Sequence, residues 1–382
     1  IIFALLTTLP LLEGNIANAE NFMIGPIIAA FIILFSRKLN FKNIFGAGAL
    51  FGMATLFKIP AAFDMPVIIL YWLITAGLKK GDLRVTLRKS VYLFLGFLAP
   101  ILATLVWFYF EGALRDYIRA AFLQNIGYLS TWRPTDVVKP FLVRNLPLLI
   151  RTGIVLGGAV ILFLKRERLT QKFIFLTLWL LFGLFAVTLS ERPYPHYLIQ
   201  VVPSISFLFA ILFTQKSLEQ SLTVIPLFLA IFVPVYYKFW YYSTSAYYLR
   251  FLRFASGQTS KEVYLASFGQ RVPRNYQIAD FLSNSSRPDE KIFIWGPDSS
   301  AVYALARRLP PGKYVADYHI TDFSSKSAEA KILEENMPKF IVLLPDAPPF
   351  PELIPTLRKS YMLISDIEGA EIWRRTNSAK RP

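Results

Sequence analysis

The sequence predicts an α-helical polytopic membrane protein whose last membrane span is followed by a small soluble α/β domain. The first observation is composition: 54% of the 382 residues are hydrophobic, 34 are Phe, and only 17% are charged. An ordinary soluble domain is roughly 45–50% apolar. The second is a series of apolar runs close to the roughly 20 residues that a helix needs to cross a bilayer. The third is a change to a more polar, mixed sequence after about residue 238.

The apolar runs divide residues 1–238 into about nine predicted spans. Most of them are separated by basic or turn-forming segments, which mark the places where an apolar helix leaves the bilayer. The predicted spans are 1–12, 22–36, 44–57, 65–77, 91–110, 146–164, 173–189, 197–213 and 222–237.

Basic residues gather in short connections between these runs, and their placement predicts the orientation of the chain. The positive-inside rule assigns the loops 37–42, 79–89, 165–172 and the one at Lys216 to the cytoplasm. The connections 13–21, 58–64, 111–145 and 190–196, and everything after about residue 238, then lie outside a bacterial inner membrane. A net charge of +16 placed in this way reflects membrane topology, so we expect no nucleic-acid partner.

The first run opens the chain without Met and without a positively charged leading segment. Followed by Ala17-Asn18-Ala19, it is similar to a signal peptide with a small-residue cleavage site. A fragment that lacks upstream spans is the simpler explanation, and we expect the chain to be truncated at its N-terminus.

The predicted soluble domain, residues 239–382, alternates helices and strands. That order predicts a small mixed sheet flanked by helices. The segment contains neither a G-x-G-x-x-G pattern nor a P-loop, so nucleotide binding is not supported. The predicted helices are 275–282, 299–308, 328–336 and 351–359, and the predicted strands are 291–295, 313–316, 339–344, 361–367 and 370–374.

Two of the predicted outer loops offer a carboxylate and an ammonium group near the membrane surface. Glu20 stands just before a span, where it is either a catalytic carboxylate or a favourable charge at a helix N-terminus. Lys58 ends an apolar run, where it either binds an anionic lipid headgroup or extends its ammonium to the interface. The sequence leaves both pairs of alternatives open.

The other two outer loops carry cations and aromatic side chains. Residues 111–124 have the spacing of an interfacial amphipathic helix, in which Arg115 and Arg119, one turn apart, are able to hold a lipid phosphate. A packed loop helix is the alternative. The loop 190–197 brings Arg192, His196 and Tyr197 to the mouth of a span, either for structure or to stabilise charge on a departing phosphate.

Together these residues suit chemistry on a lipid-linked phosphosugar. A carboxylate would remove a proton from an acceptor hydroxyl, and cations would neutralise a leaving polyprenyl phosphate. The chain has no cysteine and no Asp/Glu/His cluster with ligand spacing, so we predict no bound metal and no cofactor.

Four segments resemble bacterial membrane glycosyltransferases of the GT-C superfamily, in particular the protein-mannosyltransferase-like and aminoarabinose-transferase-like enzymes. They are 17–23 (ANAENFM), 48–60 (GALFGMATLFKIP), 191–198 (ERPYPHYL) and 294–298 (IWGPD). The resemblance covers the membrane part, about two-thirds of the chain. Its motifs are soft patterns, and none is diagnostic alone.

The resemblance implies a GT-C-like helix bundle, a polyprenyl-phosphate sugar donor and inverting transfer on the outer face. It also implies a catalytic aspartate in a first outer loop, for which this chain has no counterpart, so the fragment alone is expected to be inactive. Glu20 matches the family's second acidic position, and Arg192, His196 and Tyr197 match the late outer loop near the donor phosphate. The implied partners are the lipid-linked sugar, membrane lipid, and an acceptor that is a glycan, a lipid or a protein.

Two other classes of protein remain as alternatives. A lipid-linked sugar flippase or another transporter would carry polar groups at mid-bilayer depth, whereas the ionisable residues here gather at the outer mouths of the spans. A polysaccharide ligase or polymerase would also use lipid-linked sugars. The soluble domain at the C-terminus favours the glycosyltransferase, and we expect that domain to recognise the acceptor.

Overall fold

A computed structural model describes residues 1–8, 10–77, 79–123, 140–190, 192, 194–214, 218–239 and 244–376. The chain forms two compact units, Ile1–Tyr247 and Tyr248–Pro382. Lys216, which the sequence placed in a basic loop, lies outside the described residues.

The first unit is helical. Among its described residues, three short 3₁₀ segments interrupt or begin the helices, namely Pro10–Leu12, Ile59–Phe63 and Pro195–Val201, and a π-turn covers Arg119–Leu123. The α-helices are α1 Ile2–Thr8, α2 Ala19–Ser36, α3 Phe41–Phe57, α4 Asp64–Ala76, α5 Lys80–Phe110, α6 Leu114–Ile118, α7 Phe141–Lys165, α8 Gln171–Thr188, α9 Val202–Thr214, α10 Leu218–Leu222 and α11 Val224–Tyr236.

Within the described residues, seven helical stretches are long and apolar enough to cross a membrane, which supports a polytopic membrane protein. An eighth predicted span corresponds to α3, a shorter apolar helix of 17 residues. The seven stretches are Ala19–Ser36, Ile59–Ala76, Lys80–Phe110, Asn145–Lys165, Gln171–Thr188, Pro195–Thr214 and Leu218–Tyr236.

The predicted span over residues 1–12 is not among these seven stretches. Its described residues form the seven-residue helix α1 and the 3₁₀ turn Pro10–Leu12. A span that includes this run stays a prediction.

The basic loop predicted over residues 79–89 is wrong from Lys80 onward, because Lys80 begins α5. This helix has 31 residues, about 47 Å at 1.5 Å per residue, which exceeds the hydrocarbon thickness. No proline interrupts its first turns, and Asp82 in the first turn suits the positive end of the helix dipole. Arg84 and Arg88 therefore lie on a continuous helix.

Close helix packing positions the end of α3. Gly48 and Gly52 on α3 face α5, and Gly96 on α5 faces α3. A Cβ atom at any of these glycines would overlap a backbone carbonyl oxygen of the facing helix, so the contact requires residues without side chains. Lys58, directly after α3, is held in place by this contact.

An aromatic contact joins α2 to α8. The Phe31 ring packs edge-on against Phe175 with centroids 4.9 Å apart, and it lies 4.6 Å from the Trp179 ring. Such pairs contribute about 0.5–1.5 kcal/mol beyond the area that they bury. They fix α2, whose first turn carries Glu20, against the helix that carries Trp179.

The second unit contains a four-stranded mixed sheet in the order β1-β2-β4-β3. Strands β1 Ile292–Trp295 and β2 Phe340–Leu343 are parallel, and β3 Tyr361–Ile367 and β4 Ala370–Arg375 form an antiparallel hairpin. The hairpin turn places Glu368 and Gly369 at φ of 51° and 81°, as a type I′ turn requires. The helices are α12 Thr244–Ala255, which contains the boundary between the units, α13 Lys261–Ala266, α14 Arg271–Ser285, α15 Ser299–Ala306, α16 Asp317–Phe323, α17 Lys326–Asn336 and α18 Ile354–Ser360.

The mixed sheet and its flanking helices confirm the predicted α/β character of this part of the chain. The predicted strand over residues 313–316 is wrong, since those residues form bends. Two prolines and Gly312 come directly before them, and the Val315 carbonyl accepts a hydrogen bond from Ser299 Oγ at 2.6 Å. A backbone carbonyl that accepts a hydrogen bond from a side chain in this way is not available to pair with a neighbouring strand.

Charged residues tie α14 to the carboxyl ends of the two parallel strands. Arg271 Nε lies 3.1 Å from Asp346 Oδ2, and Arg274 Nη2 lies 3.4 Å from Asp298 Oδ2. Arg274 is buried, and each arginine also approaches the other aspartate. The balanced charges of this group fix the helix across the sheet edge.

Candidate functional site

The centre of the candidate site is a buried ion pair between two helices of the first unit. Glu20 stands in the first turn of α2 and is 2% exposed. Lys58, the residue after α3, donates a hydrogen bond from its ammonium to Glu20 Oε1. Because two charges taken out of water are costly unless they are paired, each group depends on the other.

Tyr197 covers the ammonium of this pair. Lys58 Nζ lies 3.4 Å from the centroid of the Tyr197 ring, within the range of a cation–π interaction. Tyr197 belongs to the 3₁₀ segment Pro195–Val201, where Pro195 occupies the first position. The loop 190–197 is therefore brought onto the helix ends that carry Glu20 and Lys58.

A second carboxylate pairs with the histidine of the same 3₁₀ segment. His196 Nδ1 and Glu13 Oε2 share a hydrogen bond, and both side chains are largely buried. The His196 ring lies 4.9 Å from the Tyr197 ring and stacks on Tyr194 at 5.6 Å. We name Glu13, Glu20, Lys58, His196 and Tyr197 the loop cluster, since they join three loops that are distant in sequence.

Of the remaining predicted donor-binding residues, Arg192 lies in the same loop as His196 and is half-buried. Its backbone N–H donates to Ser190 Oγ at 3.3 Å. Arg115 and Arg119 are exposed, on α6 and at the start of the π-turn. The contacts described above do not join either of them to the loop cluster.

The segment that carries Arg115 and Arg119 is helical, as its spacing predicted. Its apolar side packs on α5, where Tyr117 stacks on Phe108 at 4.2 Å and its hydroxyl lies 2.8 Å from Thr104 Oγ1. Arg115 and Arg119 are exposed. The Tyr117 contacts with α5 are those of a packed loop helix, and an interfacial position for residues 111–124 stays a prediction.

Sequence reasoning missed a group of buried polar residues next to the loop cluster. Asp64, the first residue of α4, is 1% exposed. Its Oδ1 accepts a hydrogen bond from Trp179 Nε1 at 2.7 Å, and its Oδ2 accepts one from Gln200 Nε2 at 2.8 Å. Gln200 Nε2 also donates to the Pro60 carbonyl at 3.1 Å.

This buried group joins the two 3₁₀ segments that flank the loop cluster. Lys58 directly precedes Ile59–Phe63 and Asp64 directly follows it, while Tyr197 and Gln200 share Pro195–Val201. The Gln200 amide therefore holds the segment with Tyr197 against the one after Lys58. Asp64 and Gln200 position the loop cluster without belonging to it. Asp64 is the last residue of the predicted loop 58–64, directly before an apolar run, and an acid at the edge of an apolar run is the local signal for such a group.

Within the described part of the chain, no three His, Asp or Glu side chains come together in a way that could hold a metal ion. Glu13 and His196 offer two ligands at most, and both are already hydrogen-bonded to each other. The chemistry available at the loop cluster is proton transfer by carboxylates and binding of an anion by an ammonium and an imidazole.

No protein-family model, curated protein or solved structure matches the chain significantly.

A buried carboxylate in the second unit gives its stability a pH dependence. Glu329 on α17 is 1% exposed, and neither of its carboxylate oxygens has a hydrogen-bond partner among the described residues. Burial raises the pKa of Glu329 above its ordinary value of 4.5. The favourable contribution of the protonated Glu329 carboxyl to folding is therefore fully present below about pH 4.5. This contribution is lost as pH rises through the raised pKa that Glu329 has in the folded state.

We expect Glu329→Gln to stabilise the second unit at neutral pH, because an amide is uncharged at every pH. Hydrogen exchange of the β2 amides in the purified full chain will show slower exchange in the variant at pH 7, and the difference will shrink towards pH 4. Glu334→Gln, at an exposed position of the same helix, is the matched control. An equal effect of both substitutions would contradict this explanation.

Proposed function

We propose that this chain is an integral-membrane glycosyltransferase that moves a sugar from a polyprenyl-phosphate donor to an acceptor on the extracytoplasmic face. The observation that carries the proposal is the loop cluster, which gathers a carboxylate, an ammonium and an imidazole at the ends of apolar helices. A lipid-linked phosphosugar presents its reacting bond at this depth, with its chain in the bilayer and its phosphate at the surface.

Glu20 is the proposed proton acceptor. Its carboxylate takes the proton of the acceptor hydroxyl while that oxygen forms a bond to the anomeric carbon of the sugar. The bond between the anomeric carbon and the phosphate oxygen breaks, and the electron pair leaves with the polyprenyl phosphate. The proton ends on Glu20 and the negative charge on the departing phosphate.

The ion pair links these two events. Lys58 is bound to Glu20 while the carboxylate is ionised. When Glu20 takes the proton it loses its charge, and the Lys58 ammonium becomes available to the phosphate at the moment when negative charge develops there. His196 and Arg192 supply further donors from the neighbouring loop, a form of charge stabilisation that contributes about 10²–10³-fold per donor in enzymes.

The test uses the full-length product of the gene in membranes. Sugar release from a radiolabelled polyprenyl-phosphate donor is expected to fall by about 10²-fold or more in Glu20→Gln and in Arg192→Ala. Glu111→Gln and Lys42→Ala, at exposed positions, are the matched controls and should keep wild-type turnover. Unchanged turnover in Glu20→Gln would overturn the role of the loop cluster.

A further inference from the structure

The helix α12 has two faces of different character. It has 12 residues, so it is about 18 Å long. One face packs within the second unit: the Phe254 ring stacks on Tyr264 at 4.5 Å, and the Arg250 guanidinium lies 5.4 Å from the Phe268 ring centroid. These contacts hold α12 against α13 and the segment that follows it.

The other face of α12 is apolar and exposed. Leu249, Phe251 and Leu252 are 48%, 48% and 60% exposed, and Val263 on α13 is 62% exposed. Burying large apolar side chains is favourable, so a face of this kind favours a partner that removes it from water.

The charges of α12 indicate which partner that is. The helix sequence TSAYYLRFLRFA contains Arg250 and Arg253 and no acidic residue. Arg253 and the neighbouring Lys261 are exposed. Apolar residues on one side with arginines beside them are typical of helices that lie in the interface of an anionic membrane.

The chain itself limits how far α12 can lie from a membrane. The last apolar helix, α11, ends at Tyr236, and α12 begins at Thr244. Eight residues span at most about 28 Å when fully extended. If α11 crosses the membrane, α12 therefore starts close to the surface where α11 ends.

From these observations we infer that α12 lies in the membrane plane, with Leu249, Phe251 and Leu252 inserted among the lipids and Arg253 directed to anionic headgroups. The helix is a second, in-plane membrane contact that anchors the first element of the soluble unit. The inference does not depend on the proposed transfer reaction.

The chain has no cysteine, so single cysteines can be labelled without further changes. We would place a nitroxide at Leu252→Cys in the full chain, in nanodiscs of phosphatidylglycerol and phosphatidylcholine. We expect it to collide more with oxygen, which partitions into lipid, than with a water-soluble nickel chelate. Leu249→Cys is a second reporter of the same face, and Glu335→Cys, at an exposed position of α17, is the aqueous control.

Two results would overturn the inference. If the labels at positions 252 and 249 are as accessible to the nickel chelate as the label at position 335, the apolar face of α12 lies in water. Protection of both sites from oxygen as well as nickel would mean that protein covers the face. Removing the anionic lipid should move the labels towards water, and an Arg253→Glu substitution should do the same only when anionic lipid is present.

Discussion

Replacing Lys58 with Met is expected to lower the free energy of unfolding by about 3–5 kcal/mol, since it leaves the buried Glu20 carboxylate without its counter-charge. Glu20 is 2% exposed and is hydrogen-bonded to the Lys58 ammonium. The measurement is the unfolding of the purified chain in mixed detergent micelles, followed by tryptophan fluorescence.

The double variant Glu20→Gln, Lys58→Met separates stability from chemistry. Removing both charges eliminates the unpaired carboxylate, so most of the lost stability should return. Turnover should stay low, because neither the proton acceptor nor the ammonium is restored. A double variant that recovers both stability and turnover would show that the pair serves only the fold.

Replacing Asp64 with Ala should cost about 2–4 kcal/mol of stability, because Trp179 Nε1 loses its acceptor and Gln200 Nε2 keeps only the Pro60 carbonyl. The same substitution should loosen the two 3₁₀ segments beside the loop cluster, so turnover should fall together with stability. Unfolding in detergent and the donor-turnover assay are both needed.

Asp64→Asn is the matched variant, since an amide keeps one acceptor and adds a donor in the same volume. If Gln200 turns its amide, the new side-chain nitrogen can donate to Gln200 Oε1 while the remaining side-chain oxygen still accepts from Trp179. The hydrogen bond from Gln200 Nε2 to the Pro60 carbonyl is then lost, so one of the two links between the segments remains. We expect a loss of stability smaller than that of Asp64→Ala. Equal losses would show that the charge of Asp64, rather than its hydrogen bonds, fixes the segments.

The sequence was informative wherever local composition decides the structure. Local apolar runs predict the seven stretches that are long and apolar enough to cross a membrane. They also predict strands such as Phe340–Leu343. Helix ends were less predictable. Residues 79–89 are polar enough to suggest a loop, yet nothing in them stops a helix that already extends towards Phe110.

The candidate site depends on contacts that no local pattern contains. The sequence pointed to Glu20, Lys58, His196 and Tyr197 separately, each with a structural alternative. Their meeting depends on how the helices pack, including the glycine contacts between α3 and α5. Asp64 falls in a predicted loop, and its partners Trp179 and Gln200 are more than 100 residues away along the chain, so spacing gave no indication of them.

The buried Asp64 also bears on the main alternative, a lipid-linked sugar flippase. Ionisable groups within apolar helices are common in transporters. Here the acid accepts hydrogen bonds from two neutral donors, Trp179 on α8 and Gln200 in the 3₁₀ segment Pro195–Val201. That arrangement favours a supporting role beside the loop cluster.

The most direct test of the account is the chemical fate of the donor lipid. Full-length gene product in proteoliposomes would receive a radiolabelled polyprenyl-phosphate sugar, and the label would be followed by chromatography. We predict that the label leaves the lipid and appears on an acceptor, and that Glu20→Gln prevents this. Label that crosses the bilayer while still attached to the polyprenyl phosphate, with no cleavage in the wild type, would contradict the account and identify a flippase.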